Sequence, residues 1–111
     1  MDDLNRNNFQ LKTMSVMCLL EVPTKIECID TMKEFLKEIV PDTREHDGCE
    51  KILIYNNVED PTNIVIYEVW KSREHHEKYV KWRFETGVGQ KILSMSTVSS
   101  LNPKYYDLVD A

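Results

Sequence analysis

The run EVWKSREHHEKYVKWRF, residues 68–84, gathers most of the chain's chemically capable groups: Glu68, Trp70 and Trp82, adjacent His75 and His76, Tyr79 and Arg83. Imidazole, with an unperturbed pKa of about 6.5, exchanges protons near neutrality. A guanidinium steadies a developing oxyanion, and aromatic rings wall a flat ligand. As an ensemble the mixture looks more like a pocket lining than any member does alone. Taken singly, each group has a plainer role open to it. Paired histidines near a helix start are often simply hydrogen-bonded or exposed, Trp70 and Trp82 serve as packing anchors, and Arg83 as a structural bridge to a carboxylate.

Stepping 100° per residue from Tyr79 along an ideal helix places Trp82, Tyr79, Val80 and Phe84 on one arc, with His75, His76 and Arg83 inside it. Glu74, Glu77, Lys78, Lys81 and Glu85 fall outside and form a solvated face. An arginine turned toward a core must pair, escape to an edge or line a polar cavity, because an unpaired buried charge is costly. Glu68 is the nearest partner in kind. Strand alternation puts it on one face with Ile64, Ile66 and Trp70, opposite Tyr67 and Val69. The sequence leaves open which face meets the helices. If it is the Glu68 face, then Glu68, Trp70, His76 and Arg83 line a single cavity between sheet and helices.

The elements that would hold these groups follow from periodicity and turn chemistry. Residues 1–11 carry no pattern and read as a flexible lead-in to one domain, residues 12–111. Met14 to Val22 is apolar on both alternate sets and predicts a strand that Pro23 ends. Thr24 is the expected N-cap of a helix in which Ile26, Ile29, Met32, Leu36, Ile39 and Val40 recur at helical spacing, with Pro41 bending it and Asp47-Gly48 closing it. Cys49–Asn56 and Asn63–Trp70 predict a hairpin around the turn formers of residues 57–62. Ser72 caps a second helix running to about Thr86, Gly87 and Gly89 break it, and Val88 to Met95 adds a short helical piece. A last strand is expected from Val98 to Val109, interrupted or at an edge because of Pro103. His46 with Asp47 reads as polar loop surface.

The order is α+β, ferredoxin-like βαββαβ: a four-stranded antiparallel sheet with both helices on one face. The second face raises a problem. Ile52 and Ile54 oppose Leu53 and Tyr55, and Ile64 and Ile66 oppose Val65, Tyr67 and Val69, so both faces are apolar where a solvated face should alternate with polar residues. No helix is left to cover the second face, and a bare apolar sheet exceeds the patches monomers tolerate. The same sheet of a second copy would cover it, closing a dimeric α/β barrel.

Composition excludes several classes. A chain of 111 residues suits one core, and 41% hydrophobic with 30% charged residues suits a soluble globular protein. A net charge of −5 argues against a nucleic-acid partner. No apolar run reaches the ~20 residues of a membrane-spanning helix, and the polar opening Met1-Asp2-Asp3 is unlike a signal peptide, so a cytoplasmic location is expected. Cys18, Cys28 and Cys49 are odd in number, lack a C-x-x-C pair and sit among apolar neighbours; they read as small buried hydrophobes, with neither a disulfide framework nor a zinc site expected. Phosphate loops, G-x-S-x-G, H-E-x-x-H and calcium-type carboxylate spacing are all missing from the sequence, so no metal or nucleotide cofactor is expected.

The run TREHDGCEKILIYNNVEDPTNIVIYEVWKSREHHEKYV, residues 43–80, resembles the antibiotic biosynthesis monooxygenase family of small dimeric α/β-barrel proteins. The matching features are Gly-Cys opening the second strand, the acidic E-D-P turn, and E-x-W-x-S formed by Glu68, Trp70 and Ser72; a looser likeness covers residues 12–109. The family includes quinol and polyketide monooxygenases, haem-degrading enzymes, an isomerase-like signal-processing branch and members of unknown activity. The resemblance implies a site between helices and sheet where an aromatic substrate, once deprotonated, itself reduces oxygen without flavin or metal. Trp70 matches the strand-end Trp. Ile66 stands where the polyketide oxygenases carry Asn, and His76 where they carry Tyr; the haem-ligating His of the degrading branch falls near Tyr79 or Val80, which disfavours haem.

The expectation is a homodimeric, cofactor-independent monooxygenase of a quinol-like or polyphenolic compound. His76 would carry the proton and Arg83 stabilise the phenolate or enolate. Trp70 and Tyr79 would be the stacking walls, His75 a further substrate contact, and Glu68 would orient Arg83 or His76. Two alternatives stand beside it: a non-catalytic small-molecule-binding or stress-associated dimer, and a haem-degrading enzyme.

Overall fold

The computed structural model describes residues 15–109, so the lead-in expected over residues 1–11 and the strand start expected at Met14 lie outside the described residues. Four strands form one antiparallel sheet in the order β2-β3-β1-β4: β1 is Val16–Pro23, β2 Cys49–Asn56, β3 Asn63–Trp70 and β4 Lys104–Asp107. Helix α1 spans Ile29–Glu45, α2 Arg73–Glu85 and the short α3 Val88–Ser94. This is the ferredoxin-like arrangement read from the sequence.

Strand β3 settles which face meets the helices. Ile64, Ile66, Glu68 and Trp70 are buried on one side, while Val65, Tyr67 and Val69 on the other are only partly covered. On the covered side, Val22, Ile52, Ile64 and Ile66 pack with Met32, Leu36 and Val40 of α1 and with Met95. In β2, Cys49 pairs with Trp70 but Lys51 with Val69, so Glu50 is the extra residue of a bulge; the bulge brings Ile52 opposite Glu68 and Ile54 opposite Ile66, both facing the core.

Helix α1 buries Met32, Leu36, Val40 and Thr43, one stripe at helical spacing. Its start differs from the expectation. Thr24 caps nothing: its hydroxyl donates to the Val22 carbonyl at 2.9 Å and its backbone bridges Ser96. A 3-10 turn, Ile26–Cys28, follows before α1 begins, which leaves Ile26 76% exposed rather than on the core stripe. The chain closes its strand end on the distant Thr62 and Met95 carbonyls instead of winding directly into helix. Pro41 sits inside the helix, which continues to Glu45. Gly48 adopts φ +87°, and a Cβ there would meet the His75 ring at 2.5 Å.

Ser72 is the N-cap of α2 as expected, accepting a hydrogen bond from the His75 backbone N–H at 3.2 Å. The final strand is shorter than the expected 98–109. Pro103 has no N–H to donate, and pairing with β1 runs only over residues 104–107. Ser99, Ser100, Leu101 and Pro103 of the incoming segment instead wall a cavity under the helices.

Candidate functional site

Register across the sheet assembles one row on the helix side. Ile52 of β2 faces Glu68 of β3, Glu68 faces Cys18 of β1, and Cys18 faces Tyr105 of β4. Helix α2 lays His76 across this row. Its Nε2 lies 3.7 Å from Glu68 Oε2 and 3.8 Å from Cys18 Sγ, and its Nδ1 lies 2.6 Å from the Tyr105 hydroxyl. Cys18, Glu68 and His76 are 0%, 2% and 1% exposed, and the Trp70 indole N–H donates to Glu68 Oε1 at 3.1 Å. A carboxylate removed from water this far requires such donors.

A second polar group stands about two turns along α2. Arg83, 6% exposed, donates from Nε to the Tyr79 hydroxyl at 2.8 Å and through one terminal nitrogen to the Ile39 carbonyl at 2.8 Å and the Thr43 hydroxyl at 2.9 Å. The Thr43 and Tyr79 hydroxyls are 2.6 Å apart. The guanidinium also lies over the Trp82 ring at 4.5 Å. Arg83 therefore pairs with hydroxyls and a carbonyl of α1 and α2, and the carboxylate of Glu68 serves His76 and Trp70 instead.

Between sheet and helices is a cavity of about 350 Å³ whose wall includes Glu68, His76, Tyr79, Arg83 and Thr43, set among Leu20, Ile39, Ile54, Ile66 and Leu93. Glu68, His76, Tyr79 and Arg83 are thus brought to one space. Trp70 is not in that wall; with 0% exposure it lies behind Glu68, packed against Tyr79 and Cys18. His75 is also elsewhere. It caps back to Ser72, 2.6 Å from Nδ1, and faces Asp47 at 3.8 Å on the outer flank of α2.

Three residues were missed. Tyr105 belongs to a strand whose register no local pattern reveals. Cys18, read as a plain hydrophobe, is buried but lies against His76, and its three-residue cluster with Glu68 and His76 has ligating atoms within 4.8 Å of one another; the spacing rules that argued against a metal site see only neighbours in sequence. His46, read as loop surface, instead packs its ring against Trp82 and Tyr79 at 5.0 and 5.2 Å, because α1 ends directly over α2. Its Nδ1 is buried without a hydrogen-bond partner among the described residues.

Burial shapes the acid–base character of the row. It pushes the Cys18 thiol up to about 12, helped by the Glu68 charge, and the Tyr105 phenol up to about 12, helped by Cys18 and Glu77. Burial also raises the Tyr79 phenol, opposed by the hydrogen bonds from Thr43 and Arg83. All three stay neutral near pH 7. The residues do not fit haem: Tyr79 is committed to Thr43 and Arg83, and His76 is enclosed by Glu68, Cys18 and Tyr105.

The sequence model of the antibiotic biosynthesis monooxygenase family matches residues 15–82, more than half of the chain. No curated protein matches by sequence. Among solved structures, a conserved protein from Methanosarcina mazei is similar with a TM-score of 0.77 and 13% identity, over 88% of this chain and 96% of that one. An antibiotic biosynthesis monooxygenase is similar with a TM-score of 0.75 and 20% identity, over 86% and 99%. A Mycobacterium tuberculosis protein is similar with a TM-score of 0.74 and 14% identity, over 87% and 97%. No helix among the described residues is long and apolar enough to cross a membrane.

Proposed function

Since the chain belongs to the antibiotic biosynthesis monooxygenase family, we propose that it oxygenates a quinol-like or polyphenolic aromatic molecule in the cavity between sheet and helices, without a cofactor. The observation that carries this reading is the buried Glu68–His76 pair, 3.7 Å apart, in the wall of a largely apolar cavity of about 350 Å³. A flat aromatic is retained by the apolar wall. Its hydroxyl proton passes to His76 Nε2, where the Glu68 carboxylate steadies the imidazolium and the Tyr105 hydroxyl holds the ring through Nδ1. The electron-rich anion left behind transfers its electrons to molecular oxygen and forms a C–O bond to it. His76 returns the proton to the resulting peroxide, and the O–O bond then breaks as the ring carbon loses its hydrogen, leaving a quinone carbonyl and releasing the second oxygen as water.

Arg83 and the Tyr79 hydroxyl form the other polar patch of the wall and are suited to an oxyanion on the substrate. Trp70 and His75 take supporting parts: Trp70 fixes the Glu68 carboxylate, and His75 packs on Gly48. The uncovered sheet face, with Met17, Leu19, Leu53, Val65, Tyr67 and Val69, supports pairing with a second copy of this chain.

Oxygen uptake by chelator-treated protein with a panel of quinols tests the reaction. Uptake with stoichiometric oxygenated product, lost by roughly 10²–10⁴-fold in His76→Ala, is expected. Wild type and variant both at background would remove the catalytic claim, and thermal stabilisation by a quinol with no product would leave a binding protein.

A further inference from the structure

We propose that Cys18, Glu68 and His76 form a binding site for a zinc-class divalent transition ion. Three ligand types that zinc accepts, a sulfur, a carboxylate oxygen and an imidazole nitrogen, come from β1, β3 and α2 with their ligating atoms within 4.8 Å. All three residues are buried, so the set is built into the core rather than gathered by chance at a surface. From His76 Nε2 the Glu68 oxygen is 3.7 Å away and the Cys18 sulfur 3.8 Å. Bond lengths of about 2.0–2.3 Å around a tetrahedral ion put neighbouring ligand atoms about 3.4–3.6 Å apart. The two edges at Nε2 are therefore within a few tenths of an ångström of a ligated set, and the Cys18–Glu68 edge lies within 4.8 Å. Cys18 Sγ is nearly as close to Nδ1, 4.0 Å, which places the thiol beside the ring; closing the set needs a turn of that side chain or of the imidazole.

Two further features match a ligand set. His76 Nδ1 lies 2.6 Å from the Tyr105 hydroxyl, so an Nδ1–H donated there leaves the Nε2 lone pair for the ion; Trp70 Nε1–H holds the other Glu68 oxygen at 3.1 Å. A thiolate and a carboxylate also balance a divalent charge in the core, with one proton released from Cys18 on binding. Glu68 and His76 border the cavity, so the fourth position can take water or a small ligand. The inference goes beyond the proposed oxygenation. The ion-loaded chain is then an inhibited state of the same site, because Nε2 cannot carry a proton while it ligates, and oxygenation belongs to the ion-free chain.

Chelator-treated full-length protein would be titrated with Co(II) and, separately, with Zn(II) under reducing conditions, read by absorption and by metal content after dialysis. One ion per chain is expected, with a thiolate-to-cobalt charge-transfer band that Zn(II) abolishes. In Cys18→Ser the band should vanish and affinity fall at least ~10-fold, as for loss of a ligand-supporting contact or more. Glu68→Gln should weaken binding while keeping the band, and thermal unfolding of each apo variant verifies its fold. Asp47→Asn, next to His75, should change nothing. Absence of the band in wild type, or full binding by folded Cys18→Ser, would overturn the site. Neither readout depends on oxygen uptake, so failure of the site and failure of the oxygenation are separable.

Discussion

The Tyr105 hydroxyl lies 2.6 Å from His76 Nδ1, joining the edge strand β4 to helix α2. The phenol sits between the buried imidazole and the Arg73 guanidinium, which lies 4.5 Å from the Tyr105 ring. His76 is thereby held from behind, with Glu68 on its other nitrogen and the Cys18 sulfur beside the ring, 4.0 and 3.8 Å from Nδ1 and Nε2. Removing the hydroxyl should loosen the ring without emptying the site. Tyr105→Phe is expected to lower the oxygenation rate roughly 10-fold, on the scale of one lost hydrogen bond of about 1–1.5 kcal/mol, with KM little changed. Oxygen-electrode kinetics would check this split.

The same phenol should give the fold an alkaline dependence. Burial, with Cys18 and Glu77 adding to it, raises Tyr105 from 10.0 to about 12 in the folded chain. The folded state thus holds the proton after the unfolded chain has lost it, so the contribution is complete below pH 10.0 and disappears as pH rises to about 12. The stability difference between wild type and Tyr105→Phe should shrink across that window and stay flat below it. Denaturant melts at a series of pH values would show the trend.

Arg83 and Tyr79 should behave as one unit with Thr43. Tyr79→Phe removes a hydroxyl bonded to both Arg83 Nε and Thr43, leaving buried donors short of a partner. It is expected to destabilise by about 1–3 kcal/mol. With Arg83→Met, a double-mutant cycle should return a coupling of about 0.5–3 kcal/mol, measured by urea unfolding.

Gly48 holds a left-handed turn pressed against His75, φ +87° with a virtual Cβ 2.5 Å from that ring. Gly48→Ala should cost about 1–3 kcal/mol for the backbone conformation, and displacement of His75 would add to it. His75→Ala in the Gly48→Ala background should recover part of the loss, seen as a rise in Tm.

The open sheet face should carry self-association. Leu53 and Tyr67 face each other across β2 and β3 on that side, only partly covered. Wild type is expected to run as a dimer by light scattering, and Leu53→Lys, which would set a like charge against its own copy, as a folded monomer.

Much of the site was legible because it depends on local periodicity. The strand pattern of residues 63–70 and the Ser72 cap set Glu68, His76, Tyr79 and Arg83 on elements joined by a two-residue turn, and alternation predicted that Glu68 shares its face with Trp70. The 3.6-residue repeat similarly revealed Met32, Leu36 and Val40 as the buried stripe of α1. These are properties of neighbours in the chain, and neighbours are what a sequence lists in order.

Which groups touch was decided only by the tertiary structure. Strand alternation cannot say which face the helices cover, and register cannot be read from either strand alone; together they bring Cys18 and Tyr105 to His76 across separations of 58 and 29 residues. Arg83 took hydroxyl and carbonyl partners from α1 rather than Glu68, since α1 ends over α2 and offers Thr43 and Ile39 there. Trp70 and His46 were placed by the same packing, one behind the site and one in an aromatic cluster. Sequence determines the elements because their causes are local; the fold alone determines the chemistry of the row, because a single step of register would turn every one of those side chains to the other face.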